Sequence, residues 1–202
     1  VVLARDKRRL LKSVKTHGKN DHKIVLETHE LDSLDANNQI DADIFLLEQA
    51  CLSVADALIA NCPGTLSAWK EHHVIQIPSA VCHNATHVQA AAHTVQQEGV
   101  VVLGSMRTNK GVESIIAAAE GFDVPFRWVG GTDAERKQWG NQLNLEPAVP
   151  HANIEEVLRK AKVLLLPLGD NSFSHRFTSP LKLWDYLATD QPIVAANTDA
   201  VT

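Results

Sequence analysis

The chain has 202 residues, 45% of them apolar and 21% charged, with a net charge of −5. That is the balance of an ordinary soluble globular protein, long enough for one large domain or two small ones, and nothing in the overall charge points to nucleic acid. The three cysteines, Cys51, Cys62 and Cys82, form no C-x-x-C and are odd in number. This argues against a disulfide framework and for a reducing, cytoplasmic setting. No apolar run approaches a membrane span, and the basic start lacks the apolar core of a signal peptide. The sequence begins without a methionine and stops just after an apolar run, so both ends are expected to belong to a longer polypeptide.

Residues 1–23 carry eight Lys or Arg against Asp6 and Asp21. The spacing of Leu3, Leu10, Leu11 and Val14 predicts a helix over 2–16 with its charges on the other faces. A solvated face on a sheet-covering helix accounts for the charges; a helix resting weakly on an anionic membrane surface through residues 5–23 is the alternative. KIVLE (23–27) reads as a buried strand, and His29 follows its carboxyl end, where open α/β sheets present groups to ligands. A second helix is expected over 43–54, a strand over 57–61, a short helix from Pro63 to Trp69, and a strand at VIQIP (74–78). His83 and His87 are four apart beside Cys82, as metal ligands on a helix would be, yet nothing completes a tetrahedral set. No bound metal and no cofactor are expected.

Residues 1–84 thus form one lobe, 85–98 a linker, and 99–202 a second lobe. In that lobe VVVLG (100–104) is a strand, followed by the loop Ser105–Lys110 and a helix over 111–120. FRWVGG (126–131) is a strand ending in glycines. Asn153, with Glu156 three later, reads as a capping-box variant opening a helix over 154–161. VLLLPL (163–168) is the next strand. FTSPLKLWDYLATDQPIVAA (177–196) supplies a loop, a helix and a last strand. Uniformly apolar strands alternating with helices mean a parallel sheet covered on both faces.

In the last helix Ser179 has N-cap chemistry and Pro180 suits the first helical position. Leu181, Trp184 and Ala188 fall on one face, and Lys182, Asp185, Tyr186 and Thr189 on the other. Lys182 is the informative residue, because a cation in the first turn opposes the macrodipole. The placement fits an anion held by the amides of Leu181 and Lys182; pairing with Asp185 at i+3 fits it equally. The loop GSMRTNKG (104–111) also precedes a helix, with Arg107 and Lys110, but is neither a Walker A nor a G-x-G-x-x-G sequence. Two strand–loop–helix units in one sheet, one bearing Lys110 and the other Lys182, would suit a single diphosphate.

These motifs together, GSMRTNKGVE, WVGG, VPHANIEEVLRKAKVLLLPL and SPLKLWDYLATDQPIVAAN, resemble the carboxyl-terminal lobe of retaining GT-B glycosyltransferases of the "glycosyl transferases group 1" type. KIVLETHE, LSVADALIANCPGTL and VIQIPSAV are similar to the second half of their amino-terminal lobe. The resemblance implies an α/β fold of two Rossmann-like lobes, the amino-terminal one incomplete and lacking its first strand. It implies transfer of a sugar from a UDP- or GDP-linked donor to a saccharide or lipid-linked hydroxyl acceptor. By position it implies diphosphate contacts at Lys110, Ser179, Leu181 and Lys182, a ribose contact at Asp185, a base pocket at Pro150 and His151, and His29 beside the transferred sugar. Two departures stand out: Phe177 occupies the place of a sugar-binding Glu, and Ser105 that of an Arg, which leaves Arg107 or Arg176 to supply positive charge. A non-catalytic nucleotide-sugar-binding or partner-docking module derived from the same fold is the alternative.

Overall fold

The computed structural model describes residues 1–35, 37–86, 88, 98–107, 110–121, 124–140, 143–169 and 171–198. They divide into two compact units, Val1–Asn84 with His175–Ser179, and Ala85–Ser174 with Pro180–Thr202. Most of the expected linker falls outside the described residues, as does His87 of the Cys82/His83/His87 trio.

The first unit is a four-stranded parallel sheet of order β1-β2-β3-β4, built from Val2–Ala4, Ile24–Thr28, Ala57–Ala60 and Ser79–Val81. Its helices are α1 (Lys7–His17), α2 (Ala42–Val54) and α3 (Pro63–His72). Two expectations fail here. The single helix over 2–16 is a strand followed by a helix, because the Asp6 side chain caps the Arg9 amide and starts α1 at Lys7. That leaves Val2–Ala4 to pair with Ile24–Leu26, so a strand precedes KIVLE where none was expected. VIQIP is not a strand either. Ile75 and Ile77 pack on the core while Val74 is exposed, and the pairing with β3 begins at Ser79.

Period-two burial along β2 sends Ile24, Leu26 and Thr28 inward, onto Leu10, Leu58, Trp69 and Phe177. Trp69 is fully buried. An indole of that kind removes roughly 200 Å² from water, worth about 5 kcal/mol. Under it lies a buried ionic cluster. Glu48, fully buried, accepts Ser33 Oγ at 2.6 Å and meets His73 Nε2 at 3.1 Å and Lys7 Nζ at 3.7 Å. Lys7 also pairs with Asp32 at 2.5 Å and lies over the Trp69 ring at 5.3 Å. The basic start is therefore partly consumed inside the fold. On its surface Lys19 and Lys23 pair with Asp56.

The second unit is a five-stranded parallel sheet of order β7-β6-β5-β8-β9. Its strands are β5 (Val100–Leu103), β6 (Phe126–Val129), β7 (Asn144–Glu146), β8 (Val163–Leu166) and β9 (Ile193–Ala195). Its helices are α4 (Val112–Glu120), α5 (Asp133–Trp139), α6 (Ile154–Arg159) and α8 (Leu181–Leu187); α7 (Ser172–Arg176) joins the two units in sequence. The capping box expected at Asn153 and Glu156 does not form. A 3₁₀ turn, His151–Asn153, leads into α6, and Asn153 makes no side-chain cap. A complete capping box stands instead at Thr132 and Glu135, opening α5.

The last helix is turned over relative to the sequence reading. Tyr186 is fully buried, with Asp185 and Thr189 close behind, while Leu181 and Leu187 are more than half exposed. The tyrosine has the larger ring and a hydroxyl that finds partners on the sheet, so it displaces the leucines from the inner face. Ser179 does not cap the helix: its carbonyl and Oγ both accept the Asn84 side-chain amide, at 3.0 and 2.9 Å. Pro180 occupies the cap position, and no side chain caps α8.

Candidate functional site

In the second sheet the chain steps outward from β5 through β6 to β7, then crosses to the other side of β5 with β8. Beyond such a switch point the loops diverge and leave a crevice at the carboxyl ends. Here β5 pairs with β8 only at Val100 and Val101, but with β6 as far as Leu103. Tyr186 fills the gap where β5 and β8 separate. Its hydroxyl accepts the Leu103 amide at 3.0 Å and donates to the Leu165 carbonyl at 3.4 Å. Burial holds that phenol well above its ordinary pKa, so it remains a neutral donor.

At this end of the sheet lies a cavity of about 330 Å³. The loop after β5 gives it Ser105 and Arg107, and α8 gives it Lys182. Its floor is backbone against backbone. Gly130 sits at φ +136°, and a Cβ there would lie 2.3 Å from the Gly104 carbonyl oxygen, so only glycine lets the ends of β5 and β6 meet. The Trp128 and Trp139 indoles hold the loop by donating to the carbonyls of Gly104 (3.0 Å) and Met106 (2.9 Å). Thr132 and Glu135 also face the cavity. The Arg107 guanidinium, largely exposed, lies 3.9 Å from Glu135.

Lys110 is positioned by the same loop. Its amide donates to the Arg107 carbonyl at 2.8 Å, and the left-handed Gly111 (φ +67°) turns the chain into α4. A Cβ on Gly111 would stand 3.5 Å from the Leu168 carbonyl, so the loops after β5 and β8 touch. Lys110 is half-buried, and burial, then the nearby Arg107, holds its ammonium below its usual pKa. A cation so placed gains from any anion delivered to it. Lys110 does not itself line the cavity.

On α8, Lys182 Nζ lies 3.7 Å from Asp185 Oδ2, the i+3 pairing the sequence left open. Asp185 is buried, and its Oδ1 accepts the Thr86 hydroxyl at 2.6 Å. Leu181 is exposed. Pro150 and His151 are also exposed, adjoining Val149, which lines the cavity. Sequence reasoning missed Thr132, Glu135 and the glycine floor, although T-D-A-E at 132–135 is a legible capping box.

The remaining candidates belong to the first unit. His29 follows β2, its Nε2 2.8 Å from Glu27 Oε1; the two share a face by strand periodicity. Arg176 pairs with Glu71 at 2.7 Å and stacks on Phe177, itself buried in the core. Ser179 holds Asn84, as above. Among the described residues no cluster of three or more His, Cys, Asp or Glu could hold a metal ion, and no helix is long and apolar enough to cross a membrane.

No protein-family pattern and no curated protein matches this sequence. Its fold, by contrast, matches solved structures over nearly its whole length. A sucrose-phosphate synthase from Thermosynechococcus elongatus aligns with TM-score 0.73 and 15% identity, over 97% of this chain and 55% of that one. HepE from Anabaena, solved with UDP and glucose, aligns with TM-score 0.69 and 13% identity, over 98% and 59%. The fold is that of a GT-B fragment. TarM from S. aureus, also solved with UDP, aligns with TM-score 0.71 and 15% identity, over 97% of this chain and 41% of its own. This chain spans roughly half the length of these structures, and at such identities the likeness is one of fold.

Proposed function

We propose that this chain is the core of a glycosyltransferase that moves a sugar from a UDP- or GDP-linked donor to a saccharide or lipid-linked hydroxyl acceptor, with retention at the anomeric carbon. The observation that carries the reading is the cavity at the switch point of the second sheet, where Lys182 and Arg107 meet a glycine floor beside the half-buried Lys110. The physical task in such a transfer is to stabilise the diphosphate as it leaves. Fixed cations and amides do this where charge develops. In the proposal Lys110, Lys182 and Arg107 neutralise the diphosphate, the amides of Leu181 and Lys182 donate to its oxygens, and Ser105 and Ser179 add hydroxyls. Asp185 takes the ribose hydroxyls, and Pro150 and His151 border the base. For the first unit, taken by itself, the resemblance implies a sugar-contacting role for His29, which Glu27 orients, and Arg176 is a further candidate cation. HepE and TarM, which share the fold, are solved with UDP, in keeping with a nucleotide donor.

Phe177 favours a second reading. Where related sequences carry a sugar-binding acid, this residue is buried in the core and offers no carboxylate, which fits a module that binds a nucleotide sugar without reacting. Incubating the purified protein with a panel of UDP- and GDP-sugars separates the two. Release of UDP or GDP, by hydrolysis or onto added acceptors, is expected for the enzyme; binding with no release over hours would leave the module.

A further inference from the structure

Asp185 is a carboxylate almost removed from water, 7% exposed, and its two oxygens are differently engaged. Oδ2 faces the Lys182 ammonium at 3.7 Å. Oδ1 accepts a hydrogen bond of 2.6 Å from Thr86 Oγ1, the length of a charge-assisted O–H···O⁻ bond. Thr86 Oγ1 also accepts the Val88 amide at 3.0 Å, which takes one of its two lone pairs and leaves the hydroxyl proton for the carboxylate. Thr86 is 99 residues away in sequence, so this is neither a helix cap nor a local turn.

We propose that Thr86 is a positioning residue for nucleotide recognition: it anchors Oδ1 and sets the plane of the Asp185 carboxylate so that Oδ2, beside Lys182, meets the ribose hydroxyls. The inference rests on the donor-site reading above. The aspartate side chain is short, so a contact made through Oδ2 depends on how the carboxylate is turned. A free carboxylate rotates about χ2, a broad two-fold torsion, and a second hydrogen bond removes that freedom.

The test compares UDP and GDP with their 2′,3′-dideoxy analogues, by calorimetry on wild type, Thr86→Val and Thr86→Ser, with thermal melting as the folding control. Thr86→Val keeps the shape and loses the hydroxyl. Wild type is expected to prefer the natural nucleotide over its dideoxy analogue, Thr86→Val to lose about tenfold in affinity for the natural one, and the analogue to bind both proteins alike. Thr86→Ser is expected to restore the wild-type preference. If wild type prefers the ribose form and Thr86→Val retains that preference, or loses both nucleotides equally, the positioning role is overturned while the donor site stands. If wild type binds ribose and dideoxy forms equally, the ribose role of Asp185 falls and Thr86 with it. If wild type binds neither nucleotide, the donor-site reading itself is overturned.

Discussion

Tyr186→Phe tests how the crevice is held open. The ring is fully buried and phenylalanine keeps it, so no cavity forms and almost no apolar burial is lost. What disappears is the hydroxyl that joins the Leu103 amide to the Leu165 carbonyl where β5 and β8 part. The carbonyl contact, at 3.4 Å, is long and contributes little. The amide contact, at 3.0 Å, is a good bond, and a buried N–H left without an acceptor costs about 1–3 kcal/mol. The expected loss is therefore about 2 kcal/mol, which corresponds to roughly 10 °C in the melting of a unit this size. Where opening is local, amide exchange at Leu103 should accelerate by roughly thirtyfold, since about 1.4 kcal/mol is a factor of ten. Hydrogen exchange resolved by NMR, beside a thermal melt, reads both. Unchanged melting together with unchanged exchange at Leu103 would refute the reasoning.

The first unit supplies three more predictions. Glu48→Ala leaves Lys7 and His73 buried without their shared carboxylate, and should cost about 3–5 kcal/mol in a denaturant titration; a loss below about 1 kcal/mol would contradict the cluster's role. The Ile24 amide and then Lys19 hold the Asp56 carboxyl at about 2, against an ordinary 3.8. Its stabilisation is then fully present above about pH 4 and lost as the pH falls through 2, so the melting gap between wild type and Asp56→Asn should be open at pH 6 and narrow towards pH 2; a gap constant with pH would show otherwise. Burial raises the Cys51 thiol to about 11, whereas Cys82 is exposed, so a thiol reagent at pH 8 should label Cys82 at once and Cys51 only on unfolding.

The strands of the second sheet are legible as apolar runs because both their faces are covered, and VVVL, FRWV and VLLL all stand within a residue or two of where the pattern puts them. What is not legible has physical causes. Val2–Ala4 is a strand only because β2 offers it an edge, and its leucine continues the helical stripe that follows. Asn144–Glu146 is a short, polar edge strand with no apolar signature. The face of the final helix depends on Tyr186 finding the gap between two strands, a tertiary fact that no spacing encodes. At the candidate site Lys182 is visible through its conflict with the helix dipole, and Lys110 through its place before a glycine-led helix. Thr86 carries no local signal at all, since its partner lies 99 residues on.

The account depends on a pyrophosphate being held at the switch point of the second sheet. Calorimetric titration of UDP and GDP into wild type, Lys110→Ala and Lys182→Ala tests this most directly. Each variant should bind more weakly by about 1.5–3 kcal/mol, the worth of one charge-assisted contact. Nucleotide affinity equal to wild type in both variants would contradict it.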